Sequence, residues 1–220
     1  MSFSLRLGEV VPNFDCHTTQ GNFKFHDFIK RDGAEFTVLM SHSADYTPVC
    51  TTELGRAHAR FNEFKQRGVN LIGISCDTVD SHKGWSKDIL HREKTGGEGL
   101  AFPVIADDSR DIVTKLGMLD PRTAQGGGSA LPARALVVFD NQCKVRLAML
   151  YPASTGRSFD EVFRVLDSLI LNHKHQLATP VDWHSGDRVI VPPGADVSKF
   201  KNVETEKLPS GKEYLRFTGI

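Results

Sequence analysis

No stretch of the 220 residues reaches the ~20 consecutive apolar positions of a membrane-crossing helix, so integral membrane association is not expected. Net charge is also missing. Lys plus Arg and Asp plus Glu each number 27, a balance that gives no general pull toward nucleic acid or an anionic membrane. The expected partners are a small molecule or a second copy of the chain. Met1 to Glu9 carries an early acid and lacks both a basic opening and an apolar centre, so it is not expected to act as a signal peptide. The four cysteines, Cys16, Cys50, Cys76 and Cys143, form no Cys-x-x-Cys pair. That disfavours a zinc ribbon or a dithiol redox motif, and it makes a reducing compartment, the cytoplasm, the simpler location. The histidines show no metal spacing such as His-Glu-x-x-His, so no metal is expected. No internal repeat is present. Gly126–Gly128 reads as a flexible loop and not a phosphate cradle, because no Lys-Ser or Lys-Thr follows, and no cofactor is expected.

What is present is an α/β alternation. At 40 % hydrophobic the chain can bury one good core and still append a small domain. Strands are predicted over 36–40, 69–75, 102–106, 135–139 and 145–150, the last two joined as a hairpin through Asp140 to Cys143 on a mixed sheet. Helices are predicted over 51–67, with Gly68 as the stop, and over 81–94, 110–116 and 159–171. The last carries Phe159, Val162, Phe163, Leu166, Leu169 and Ile170 on one face. From about Gln176 onward Pro180, Pro192, Pro193 and Pro209 divide short segments. This predicts a small second domain over 176–220 after a first over 1–175, ending in a strand at 213–217.

Cys50 follows an apolar run and opens a helical pattern, with Thr47 as N-cap and Pro48 after it. A first-turn cysteine meets unsatisfied backbone N–H groups and the positive end of the helix dipole, which favour the attacking thiolate. On position alone a buried structural cysteine is an equal reading. Cys76 is expected to pack at a strand end, and Cys16 and Cys143, in polar contexts, to be exposed and incidental.

The run Thr47-Pro48-Val49-Cys50-Thr51-Thr52-Glu53 resembles the reactive-cysteine signature of the peroxiredoxins. Leu7 to Phe14, Pro132-Ala133-Arg134, Leu150 to Arg157 and Thr179 to Trp183 extend the likeness along nearly the whole chain. The last two point to the one-cysteine, peroxiredoxin-6-like branch of the AhpC/TSA family. The resemblance implies a thioredoxin-like fold and reduction of hydrogen peroxide and organic hydroperoxides through a sulfenic acid at Cys50. It implies that Arg134 is the catalytic arginine and Arg157 a second that supports it. Glu53, on the helical face of Cys50, would orient an arginine, and His42 would be a hydrogen-bonding support. Thr47 would turn its hydroxyl to the site, with Pro48 and Val49 lining it. Taken without the family, each arginine is more often a surface ion-pair partner. With no cysteine after Cys143, the sulfenic acid must be resolved by an external thiol, which the resemblance makes glutathione or a thioredoxin system. The resemblance also implies a homodimer that involves the C-terminal domain, and in some relatives a higher oligomer. One departure stands inside the motif. Ser43 occupies the place of a Pro that shields the sulfur and stiffens the loop, which bears on rate or mobility and not on reaction type.

Three other readings compete. The branch includes members with a phospholipase activity assigned to a Gly-x-Ser-x-Gly serine. Here the stretch is Lys30-Arg31-Asp32-Gly33-Ala34, so His26 is present but the nucleophile is not, and Gln142 stands where the Asp is expected. A holdase chaperone acting in a higher oligomer leaves no motif to find. A thiol–disulfide oxidoreductase lacks the second thiol that releases a mixed disulfide.

Overall fold

The structure, a computed structural model, describes residues 5–124 and 129–220; Gly126–Gly128 and the first four residues lie outside the described residues. Backbone contacts divide the chain into two units, Met1–Arg157 and Ser158–Ile220.

The first unit is built on a seven-stranded mixed sheet flanked by helices, a thioredoxin-like α/β arrangement. Its strands are β1 (Asp15–Thr18), β2 (Gly21–Lys24), β3 (Phe36–Ser41), β4 (Val69–Ser75), β5 (Val104–Ala106), β8 (Arg134–Asp140) and β9 (Val145–Tyr151), in the order β2-β1-β5-β4-β3-β8-β9. A separate short pair, β6 (Leu119–Asp120) and β7 (Leu131–Pro132), lies between β5 and β8 in sequence. β3 runs parallel to β4 and β4 to β5, whereas β8 is antiparallel to both β3 and β9. Every residue of β3, β4 and β8 is buried. This explains why these three read in the sequence as continuous apolar runs without alternation.

The helices are α1 (Phe25–Ile29), α2 (Pro48–Ala59), α3 (Phe61–Gln66), α4 (Val79–Glu93), α5 (Asp111–Lys115) and, in the second unit, α6 (Phe159–His175). The single helix predicted over 51–67 is interrupted at Arg60, whose φ of −102° and ψ of 14° leave the helical region. Gly68 does end it, at φ +65°, a left-handed conformation that costs glycine little. The strand predicted over 102–106 begins only at Val104, because Pro103 has no N–H to give a ladder.

Two cysteine expectations are corrected. Cys16 is fully buried and Cys143 only 2 % exposed, and both belong to the main apolar cluster. Cys16 alternates inward on β1, while Cys143, at φ +63° in the β8–β9 turn, folds back to accept from Val11 N–H through its carbonyl. Neither tendency is visible in the polar residues around them.

Topology places the site. Because β8 is antiparallel to β3, with Met40 opposite Leu136, its first residue lies beside the carboxyl end of β3. There the chain leaves Ser41 for a six-residue loop and enters α2, the usual position for a site in an open α/β sheet. Ser41 pins that junction: its hydroxyl donates to Ala133 O at 2.6 Å and accepts from Ala135 N–H at 2.9 Å, on both sides of Arg134.

The second unit opens with α6, whose N-cap Ser158 accepts from Glu161 N–H and whose Phe159, Val162, Phe163 and Leu166 are buried. Leu171 near its end packs with Leu177, Trp183, Val189 and Val191 in one cluster. A cut at Gln176 would divide that core, which is why α6 groups with residues 176–220. The sheet here is β10 (Val189–Ile190), β12 (Arg216–Thr218) and β11 (Glu204–Thr205), with β12 in the middle. The strand predicted over 213–217 is thus shorter and displaced toward the C-terminus, since pairing starts only at Arg216 opposite Thr205.

Candidate active site

Cys50 lies in the first turn of α2 and is completely buried. Thr47 is the N-cap residue by its extended backbone, and Pro48 follows at the start of the helix. The Thr47 hydroxyl caps no helix N–H; it donates to Ala44 O at 2.8 Å. Pro48 is exposed and Val49 half-buried. Just before the helix Tyr46 sits at φ +55°, the left-handed region that a bulky residue seldom adopts.

Four of the predicted residues converge. Arg134 Nη1 donates to Cys50 Sγ at 3.1 Å and to Glu53 Oε2 at 2.8 Å. Its Nε and Nη2 both donate to Ala153 O, which fixes the guanidinium plane. Glu53 is saturated: Oε1 accepts from the Arg157 backbone N–H and Nε, and Oε2 from Arg157 Nη2 as well as from Arg134. Arg157 Nη1 donates to Ala135 O at 2.9 Å. Glu53, Arg134 and Arg157 are 3 %, 2 % and 7 % exposed, so their charges are not screened by bulk water. Two guanidinium cations against one carboxylate leave one positive charge uncompensated. A Cys50 thiolate completes the balance.

A second cluster sits on the loop that precedes the helix. His42 Nε2 contacts Asp45 Oδ1 at 2.9 Å, and His82 Nδ1 contacts Asp45 Oδ2 at 2.8 Å. Ser81 Oγ donates to Asp45 Oδ2 at 2.7 Å, and Asp45 N–H donates to Asp77 Oδ2 at 3.0 Å. The other His82 nitrogen faces Ile105 O at 3.2 Å. Thus the loop is tied to α4 and to the ends of β4 and β5. The ligand-capable atoms of His42, Asp45 and His82 lie within 4.8 Å of one another, a grouping that could also hold a metal ion. The sequence concealed it, because His82 comes from α4, far along the chain from the loop. His42, expected as a hydrogen-bonding support, is buried and bonds to Asp45, and its Nδ1 has no partner among the described residues.

Sequence reasoning also missed Ser43 as a contact. Its Oγ lies 3.4 Å from Cys50 Sγ.

Electrostatics separate the four thiols. Burial pushes Cys50 up, but hydrogen bonds from the side chains of Ser43, Thr47 and Arg134 and from the Ala44 backbone outweigh it and hold the thiol below its ordinary value. Thr47 has one hydroxyl proton and spends it on Ala44 O, so Ser43 and Arg134 are the side-chain donors we credit. Cys16 is pushed up to about 12 and Cys76 to about 11, in both cases chiefly by burial, and Cys143 is raised for the same reason. Glu53 is lowered: burial opposes ionisation, and the charge and hydrogen bonds of Arg157, then the charge of Arg134, overcome it. Asp45 is lowered likewise, by its bonds to His42 and His82 against burial, and burial itself lowers His42.

Residues 7–148 match the AhpC/TSA family. The chain is 48 % identical over 220 residues to Peroxiredoxin-6 of Gallus gallus, with 97 % of each chain covered. Among solved structures it is similar to a cysteine-to-serine mutant of Peroxiredoxin 6 of Arenicola marina, at a TM-score of 0.92 and 44 % identity over 98 % of both chains. It also resembles a yeast mitochondrial 1-Cys peroxiredoxin, at a TM-score of 0.86 and 36 % identity, over 99 % of this chain and all of that one. The structure of the latter concerns thiol resolution through glutathione and thioredoxin systems.

Proposed function

The chain belongs to the AhpC/TSA family and is a one-cysteine peroxiredoxin, a thiol peroxidase, and from that premise we propose that Cys50 is the thiol that attacks the peroxide. The observation that carries this reading is the Arg134 Nη1 contact to Cys50 Sγ, with the guanidinium locked between Glu53 and Ala153. The Cys50 thiolate attacks the terminal oxygen of hydrogen peroxide or an organic hydroperoxide along the O–O axis. The S–O bond forms as the O–O bond breaks, Cys50 becomes the sulfenic acid, and the leaving alkoxide or hydroxide takes a proton from solvent. Arg134 serves both ends of the step. It neutralises the sulfur before attack and supplies planar donors to charge moving onto the leaving oxygen. Glu53 and Arg157 hold it there, and Thr47, Pro48 and Val49 form the turn that presents the sulfur.

One equivalent of external thiol then condenses with the sulfenic acid, releasing water and leaving a mixed disulfide, and a second thiol frees Cys50. Glutathione or a thioredoxin system is the reductant class we assign. The four thiols, none bridged, are consistent with a reducing, cytoplasmic setting, and no helix among the described residues is long and apolar enough to cross a membrane. We assign a homodimer as the working assembly. β9 is a seven-residue edge strand whose first residue, Val145, is bonded on that edge by Gly8 and Glu9, while Leu150 near its other end is 54 % exposed, a surface that a second copy would pair. Residues 176–220, with Val181 88 % exposed, are proposed as a further contribution to that contact.

The test is Cys50→Ser, which should abolish peroxide turnover, together with intact-mass analysis of wild type treated with peroxide without thiol. The mass should rise in steps of one oxygen at Cys50. A loss of two hydrogens, mapped to a Cys50 bridge within one chain, would overturn the one-cysteine mechanism.

A further inference from the structure

Ser43 is 8 % exposed, and Cys50 Sγ is the sole hydrogen-bond partner of its hydroxyl among the described residues. The surrounding donors are committed elsewhere: Thr47 to Ala44 O, and Arg134 through all but one of its bonds to Ala153 and Glu53. The sulfur itself is fully buried, so solvent cannot solvate a thiolate there and each fixed donor counts for more than it would in water. A serine hydroxyl facing an acceptor-only thiolate must be the donor of the pair. Its place is also held from below. Ser43 lies between His42 and Asp45, both fixed by the Asp45 carboxylate, so the hydroxyl is aimed by a tethered loop.

We propose that Ser43 is a further catalytic residue of the peroxidase reaction, its hydroxyl donating a hydrogen bond to the attacking Cys50 sulfur in place of solvent. The inference rests on the reading of Cys50 as the attacking thiol. No proton is transferred: the bond steadies the thiolate before attack and weakens as charge leaves sulfur for the departing oxygen. That order has a signature. Loss of the donor lowers the thiolate fraction on the acid side of the Cys50 titration, about tenfold for one unit of displacement. Thiolate nucleophilicity, however, rises with basicity with a slope of about 0.4–0.5, which returns about threefold. The two profiles must therefore cross. Ser43→Ala should react about threefold more slowly than wild type on the acid side and about threefold faster where both are fully ionised.

The experiment is the peroxide rate constant against pH for wild type, Ser43→Ala, Ser43→Gly and Ser43→Thr. Cys50 ionisation is read in parallel from iodoacetamide alkylation mapped to that residue. Crossing profiles in Ala or Gly, with Thr restoring the wild-type curve, are the expected result. If one deletion variant does not fold, the other reads the same crossing. A rate lowered equally at every pH, or an unchanged profile, would overturn the proposal. Cys50→Ser separates the two levels: if it keeps turnover, the reading of Cys50 fails; if it is dead while Ser43→Ala matches wild type, the Ser43 role alone fails.

Discussion

Two buried carboxylates stand on either side of Cys50 in the chain, and they are held by different partners. Glu53 lies between two guanidiniums, Arg134 and Arg157, and one of these touches the sulfur. Asp45 lies between two imidazoles, His42 and His82, and its contacts run to the loop and its supports. The first assembly carries permanent charge and acts on the sulfur's ionisation. The second uses groups that titrate and acts on geometry. A buried carboxylate is costly in either case and persists because every oxygen is engaged. The difference teaches that burial and pairing alone do not single out the residues proposed to react; the contact to the Cys50 sulfur does.

The comparison is broken most severely on the arginine side. Arg157→Met removes two of the four donors to Glu53, Nε and Nη2, and leaves a buried carboxylate short of partners, so stability should fall by roughly 3–5 kcal/mol in denaturant unfolding. The Arg157 backbone N–H survives the substitution, which places the expectation at the lower end. Next comes Arg134→Lys, which keeps the charge but loses the fork between Ala153, Glu53 and the sulfur. The peroxide rate should drop on the order of a hundredfold, the usual effect of losing one transition-state donor. Near-full activity would mean that charge alone matters. On the imidazole side Asp45→Asn should cost about 1.5–3 kcal/mol of stability, as for a hydrogen bond to a charged group. Its peroxide rate should fall less than that of Arg134→Lys; an equal fall would erase the distinction between the two assemblies.

Acid sharpens the contrast. Burial lowers His42, so the unfolded chain binds a proton there before the folded one does, and stability declines as pH falls from about 6.5. Glu53 and Asp45, both lowered, contribute stability that is fully present above about pH 4 and is lost as pH falls through their folded values. All three therefore make stability rise with pH. His42→Gln should remove the upper part of the decline and leave the lower, as read from melting temperature against pH. The smallest effect belongs to the other thiols. Cys16, Cys76 and Cys143 changed together to Ala should retain most of the turnover. Alanine is the fitting replacement because serine would bury a hydroxyl in the core at Cys16 and Cys143.

The sequence was most readable where local pattern and structure share a cause. The buried strands β3, β4 and β8 are apolar because both faces are covered, and Cys50 is legible because a helix start advertises itself through Thr47 and Pro48. Arg134, Arg157 and Glu53 could be paired with Cys50 through family likeness, but no spacing brings residues so distant in the chain together. Asp45 and His82 stayed hidden for that reason, since their meeting depends on how α4 returns to the loop. The β1–β2 hairpin, with only Cys16 and Thr18 buried on β1, was too short to announce itself. Ser43 was noticed only as a missing proline; its contact with the sulfur is a property of the folded loop.

The central claim is that the uncompensated charge of the Arg134–Glu53–Arg157 assembly holds Cys50 as a thiolate. Alkylation of Cys50 by iodoacetamide, followed against pH in wild type and in Arg134→Met, tests it most directly. The account predicts that wild-type Cys50 ionises below an ordinary thiol and that the variant's midpoint moves clearly upward. Coincident titrations in the two folded proteins would contradict it.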